Sequence, residues 1–236
     1  MKTFETIFSP ISAGRLLDVA TGRGSFIHTL IESLKDYDEI IGIDSNADHD
    51  SAFGEAFAGK SISYRQMDGY SLTFDDASFD TVSISNSLHH LKNPALVLNE
   101  MQRVLKPGGT FIISEMIRDH LSEAQMTHAL LHHWWAEIDS AEGIIHNETF
   151  TKQQLMEFAK NTAITKWDFH DVAYLDDDPK DEETIKQLEG IIDRYIEKTE
   201  NLPAQEMLIK RGQALRTRVH EVGFHGATAL VAIGVK

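Results

Sequence analysis

Leu16-Leu17-Asp18-Val19-Ala20-Thr21-Gly22-Arg23-Gly24-Ser25-Phe26 decides the fold. An apolar run of strand type ends in Gly-x-Gly and gives way to a helical pattern from Ser25. Glycine in such a turn lets the backbone approach a ligand and enter a helix without a Cβ clash. A tight strand-to-helix connection that binds nothing uses the same residues, so the neighbouring segments have to decide. About twenty residues after Gly24, a second apolar run, Ile40-Ile41-Gly42-Ile43, ends in Asp44. Strand, glycine turn, helix, strand and acidic tip together read as the start of a doubly wound α/β sheet, whose ligands sit at the carboxyl ends of its strands.

An acidic side chain at the tip of the second strand can accept both hydroxyls of a ribose. Dinucleotide-binding proteins share that spacing, but they need Gly-x-Gly-x-x-Gly and a helix N-terminus free of negative charge. Here Gly22-Arg23-Gly24-Ser25-Phe26-Ile27 closes on isoleucine, and Asp18 opposes a diphosphate. A carboxylate there suits a cationic ligand, such as the α-ammonium of a methionine moiety. By these residues the segment resembles motif I of the class I S-adenosylmethionine (SAM) dependent methyltransferases. That family usually has glycine where Ala20 stands, and alanine is comfortable there only at negative φ.

The resemblance continues in order. Met67-Asp68-Gly69 follows the strand-like Ile62 to Gln66 and looks like the acidic position that reads the adenine amine. Phe79 to Asn86 is a fourth strand leading into Ser87-Leu88-His89-His90-Leu91, and Leu105-Lys106-Pro107-Gly108-Gly109 turns the chain into a fifth. Ala227 to Val235 reads as the last strand. The resemblance implies a SAM site built from Asp18, Ala20, Gly22, Gly24, Asp44, Ser45, Met67, Asp68, Gly69, Asn86 and Ser87. It further implies a Rossmann-like, mostly parallel seven-stranded sheet, and methyl transfer to a small molecule, as in the ubiquinone and menaquinone biosynthesis type. The rival readings are a nicotinamide-dependent oxidoreductase and a SAM-binding protein without transfer activity. The segment Ser85-Asn86-Ser87-Leu88 lacks the Asn/Asp-Pro-Pro-aromatic turn that similar enzymes use for planar nitrogens, which argues against such acceptors.

The whole chain, 1–236, reads as one domain with two helical additions. The first, 116–148, is expected to be a mobile lid: Ser122 and Gln125 form a capping box, and Met126, Leu130, Trp134 and Ile138 follow four apart. Trp134, Trp135, His132, His133 and His146 offer that lid an apolar wall with a few polar points. The second, 176–222, reads as two amphipathic helices broken near Asn201-Leu202-Pro203, and serves either to cap the site or to pair two copies as a homodimer. Its Lys210, Arg211, Arg216 and Arg218 read as a solvated helix face. Further helices are expected over Ser25–Lys35, Ala47–Phe57, Pro94–Leu105 and Lys152–Asn161.

Transfer to a hydroxyl needs a base, for which His89, His90, His133 and His146 are the candidates. His128 and His132 have the spacing of two metal ligands on one helix face, yet no third ligand follows from spacing, so no metal site is expected. The chain has 236 residues, 42% of them hydrophobic, and no cysteine, which excludes disulfides and thiolate metal sites. Its formal charge of -15 opposes nucleic-acid substrates. Neither a signal peptide nor a membrane-spanning run is seen, so the cytoplasm is the expected location.

Overall fold

The computed structural model describes residues 2–236. Seven strands, β1 (Arg15–Val19), β2 (Glu39–Asp44), β3 (Ile62–Gln66), β4 (Phe79–Ser85), β5 (Leu105–Met116), β6 (Lys166–Val172) and β7 (Ala229–Val235), form one sheet in the order β3-β2-β1-β4-β5-β7-β6. β7 runs antiparallel to both of its neighbours, β5 and β6, while the pairings from β3 to β5 are parallel. This is the mostly parallel, doubly wound sheet that the sequence predicts. The strand order reverses between β1 and β4, and that switch point opens a crevice at their carboxyl ends.

Side chains alternate across a strand, so a sheet buried on both faces needs continuous apolar runs. Leu16 and Ile40 pack on one face with α1 (Phe4–Phe8), α2 (Ser25–Ser33) and Phe53 of α3 (Asp50–Ala56). Leu17, Val19, Ile41 and Ile43 pack on the other with α4 (Pro94–Val104) and α6 (Lys152–Lys160). The expected helices are found with ends within about two residues, the usual uncertainty of such boundaries. One differs in kind: Ala47–Phe57 begins as a 3-10 turn, Ala47–His49, because the Asn46 side chain accepts the Asp48 N–H and starts the chain tightly.

The two helical additions are joined. α5 (Glu123–Ala141), α7 (Glu182–Lys198) and α8 (Gln205–Val222) share one core of Leu131, Trp134, Ile138, Leu188, Ile192 and Leu215, among others. Trp134 is fully buried there, and its indole N–H donates to the Leu208 carbonyl at 3.0 Å. Gly212 permits the close approach of α8, since a Cβ there would lie 2.5 Å from the Trp134 ring. Trp134 is therefore core and not pocket wall. Three of the four basic residues read as a solvated face are paired instead: Arg211 with Glu137, Arg216 with Asp193 and Arg218 with Glu123 tie α8 to its two partners. The capping boxes at Ser122 and Thr151 form as expected. Among the described residues no helix is long and apolar enough to cross a membrane.

Candidate active site

The Gly-x-Gly turn is locked to the tip of β2. Thr21 donates its N–H to the Ile43 carbonyl at 2.9 Å, and Gly22 donates to Asp44 Oδ2 at 2.9 Å. Gly24 opens α2 with φ +85°, and a Cβ there would lie 2.5 Å from the Phe57 ring, so both conformation and space require glycine. Ala20 departs from expectation: its φ is +54°, in the left-handed region. The turn between β1 and α2 dictates that conformation, and alanine carries its strain.

A left-handed alanine costs about 1–2 kcal/mol, offset by the roughly 0.5–1 kcal/mol of extra chain entropy that glycine loses on folding. Ala20→Gly is therefore expected to stabilise the protein by about 0.5–1 kcal/mol and raise Tm by about 2 °C, read by thermal denaturation. A lower Tm would show that Ala20 is not strained.

Beside the turn lies a cavity of about 700 Å³, lined by Asp18, Ala20, Thr21, Phe26, Asn86 and Tyr174 among others. Asp18 is 1% exposed, and one of its oxygens accepts the Ser83 hydroxyl at 2.6 Å. Burial pushes its carboxyl up to about 6, against the lowering effect of the Ser83 bond. Thr21 Oγ1 is buried beside it. A buried carboxylate on the wall of this cavity fits a ligand with an ammonium head, which supplies the opposite charge.

Further cofactor candidates lie at the ends of β2 and β3 and in the loops that follow them. Asp44 Oδ1 accepts the Asn46 N–H at 3.0 Å, its carbonyl accepts from the Met67 N–H at 2.8 Å, and the Ser45 carbonyl accepts from Gln66 at 3.0 Å. Asp68 is exposed and bonds the Tyr70 N–H at 2.9 Å, which rigidifies the loop carrying Gly69. The sequence candidates thus form two neighbouring groups, Asp18, Ala20 and Asn86 on the cavity, and Asp44 to Gly69 along the tips of β2 and β3.

At the tip of β4, Asn86 takes φ +44° and accepts the Met116 N–H, and the Ser87 hydroxyl reaches the carbonyls of Ser85 and Ala20. Glu115, at the end of β5, holds the loop that follows. Fully buried, it accepts the N–H groups of Ser87 and Leu88 at 3.1 and 2.9 Å and bonds His89 Nδ1 at 2.9 Å. Sequence reasoning missed this residue, although a glutamate closing the apolar run Phe111-Ile112-Ile113 was a visible signal.

Three of the four base candidates cluster and one stands apart. His89 and His146 are buried, with His146 Nδ1 2.7 Å from Asp139, which also binds Tyr195 and Lys198. The burial that would raise the Asp139 carboxyl is outweighed by its bonds from Lys198 and His146, which hold it below the ordinary range. His90 is exposed, its ring 4.3 Å from those of both His89 and His146. His133 stands apart and bonds Thr149 at 3.0 Å. The helical pair is also split: His128 accepts the Ala227 N–H, whereas His132 joins His89 and His146.

Residues 17–113 match the family described as a methyltransferase domain. The chain is 31% identical over 137 residues to the ubiquinone/menaquinone biosynthesis C-methyltransferase UbiE of Cellvibrio japonicus, covering 54% of this chain and 55% of the relative. It spans about half the length of the curated relatives it matches. Among solved structures it is similar to the [4+2]-cyclase SpnF, with TM-score 0.62 and 20% identity over 98% of this chain and 77% of the other. It is also similar to phosphoethanolamine N-methyltransferase 2 of Haemonchus contortus in complex with SAM, with TM-score 0.58 and 19% identity over 98% and 50% of the two chains. Both likenesses concern the fold.

Proposed function

From the match of residues 17–113 to a methyltransferase domain family, we propose a class I enzyme that transfers a methyl group from SAM to a small-molecule acceptor. The observation that carries this reading is the buried Asp18 carboxylate on the cavity beside the Gly-x-Gly turn, where a dinucleotide site would exclude negative charge. Asp18 and Thr21 would hold the amino-acid end of the cofactor, Asp44 the ribose, and Asp68 the adenine amine. SAM supplies an already activated methyl group, so the protein has to orient the acceptor and exclude water. His90, beside the buried His89 and His146, is the candidate best placed to meet a hydroxyl acceptor, while partial burial and those two neighbours lower its pKa to about 4.

The unit of α5, α7 and α8 caps the site on this reading and moves as one body, because its three helices share a core. With α5 already covering the apolar faces of α7 and α8, a cap is favoured over a homodimer contact. The small acceptor agrees with the acidic charge and with the UbiE relative, and the cytoplasm is the location proposed. The second reading is SAM binding without transfer.

Conversion of SAM to S-adenosylhomocysteine with a panel of quinol, phenol and amine acceptors tests the proposal. Turnover with one acceptor supports it; SAM binding without turnover on any supports the second reading. Asp44→Ala is expected to weaken SAM binding by more than about tenfold, through loss of a charge-assisted pair of hydrogen bonds. Calorimetry checks this, and unchanged affinity in a folded variant would remove Asp44 from the ribose site.

A further inference from the structure

We propose that His89, His132 and His146 form a binding site for one divalent transition-metal ion with a fourth position open. One ring nitrogen from each lies within 4.8 Å of the others, and all three residues are buried. The orientation of the rings is what makes this a ligand set. His89 Nδ1 is held by Glu115 at 2.9 Å and His146 Nδ1 by Asp139 at 2.7 Å, so each of these rings has its Nε2 lone pair left over. Carboxylates bonded to the far nitrogen are the usual second partners of histidine ligands, where they fix the tautomer and raise ligand basicity. His132 Nε2 stands 3.3 Å from His146 Nε2. Two nitrogens bound tetrahedrally to zinc at about 2.0–2.1 Å are separated by about 3.3 Å.

A proton on His132 Nε2 can satisfy only one of the lone pairs left on His89 and His146, whereas a cation would engage a ring nitrogen of each histidine at once. The absence of cysteine and the imidazole donors suit zinc, iron, cobalt or nickel over magnesium or calcium. Three histidines without a fourth protein ligand describe a site that keeps a position for a solvent or substrate oxygen. A recess lined by Lys92, Ser140, Ile145, His146 and Asn147 adjoins it.

Any role for the ion in transfer rests on the methyltransferase reading, whereas its binding does not. In that role an acceptor hydroxyl would take the fourth position, where the ion would ease loss of its proton to solvent. The oxygen then attacks the methyl carbon as the carbon–sulfur bond breaks, with S-adenosylhomocysteine leaving.

The test uses full-length protein stripped with chelator and free of affinity tags, titrated with Zn²⁺ and separately with Co²⁺ as a visible probe. One ion per chain is expected, with a Co²⁺ spectrum characteristic of low coordination. His132→Ala and the better tolerated His132→Gln should each weaken Zn²⁺ at least about a hundredfold, and Asp139→Asn about ten- to hundredfold. His133→Ala, on the same helix outside the cluster, should leave it unchanged. Failure of the folded wild type to bind either ion at micromolar concentration would overturn the site. So would equal binding by both folded His132 variants. SAM affinity measured on the same samples separates the two ideas: SAM binding without metal overturns the site alone, and metal binding without SAM supports the site while contradicting the methyltransferase reading.

Discussion

Asp18→Asn is expected to stabilise the protein at pH 7 while weakening its hold on SAM. Burial raises the Asp18 carboxyl from its ordinary value to about 6, so in the folded protein its proton is retained where the unfolded chain has lost it. Its contribution to stability is fully present below about pH 4, falls as pH rises, and is lost above about pH 6. Holding a carboxyl at about 6 in place of its ordinary value corresponds to about 3 kcal/mol. Asparagine removes the charge and keeps an oxygen for the Ser83 hydroxyl, but its amide hydrogens need acceptors, which leaves a gain of about 2 kcal/mol and a Tm higher by about 4–8 °C. The advantage should vanish at pH 4. SAM binding should fall by about tenfold or more, because the ammonium loses an ionic partner. Thermal denaturation across pH, with calorimetry at pH 7, checks both signs. Destabilisation of the Asp18→Asn variant at pH 7 would show that the carboxylate is structural, and unchanged SAM affinity would show that it does not face the ligand.

Glu115→Ala is expected to cost about 3–5 kcal/mol. The carboxylate bonds the N–H groups of Ser87 and Leu88 and the ring of His89, all of them buried. Truncation leaves those three N–H groups unpaired in the interior, where each orphan costs about 1–3 kcal/mol. Glu115→Gln keeps the shape and most acceptor capacity, so its loss should be less than half as large. Denaturant unfolding of both variants measures this. A cost below about 1 kcal/mol for alanine would mean that the loop after β4 is held by its other contacts.

Local chemistry was legible in the sequence. A strand, a glycine turn and an acidic strand tip each declare themselves within a few residues, and their repetition along the chain determined the sheet and set Asp18, Asp44 and Asp68 on or just after neighbouring strands. What was hidden lies in contacts between distant segments. Glu115 and His89 meet because β5 lies beside β4 in the sheet. The apolar stripes on α5, α7 and α8 were visible as periodicity, but period alone does not say that they cover one another, so Trp134 read as a pocket wall. His132 was paired by helical spacing with His128, although its partners come from the loop after β4 and from the segment following α5. Ala20 was misjudged because conformation belongs to the turn and not to the residue filling it.

Equilibrium binding of SAM and of NAD to the purified chain tests the central claim most directly. The account predicts that SAM and S-adenosylhomocysteine bind at one site per chain, that Asp44→Ala weakens both, and that Asp18→Asn weakens both as the ammonium partner is lost. It further predicts that NAD neither binds nor competes. Binding of NAD in place of SAM, or SAM binding indifferent to both aspartates, would contradict it.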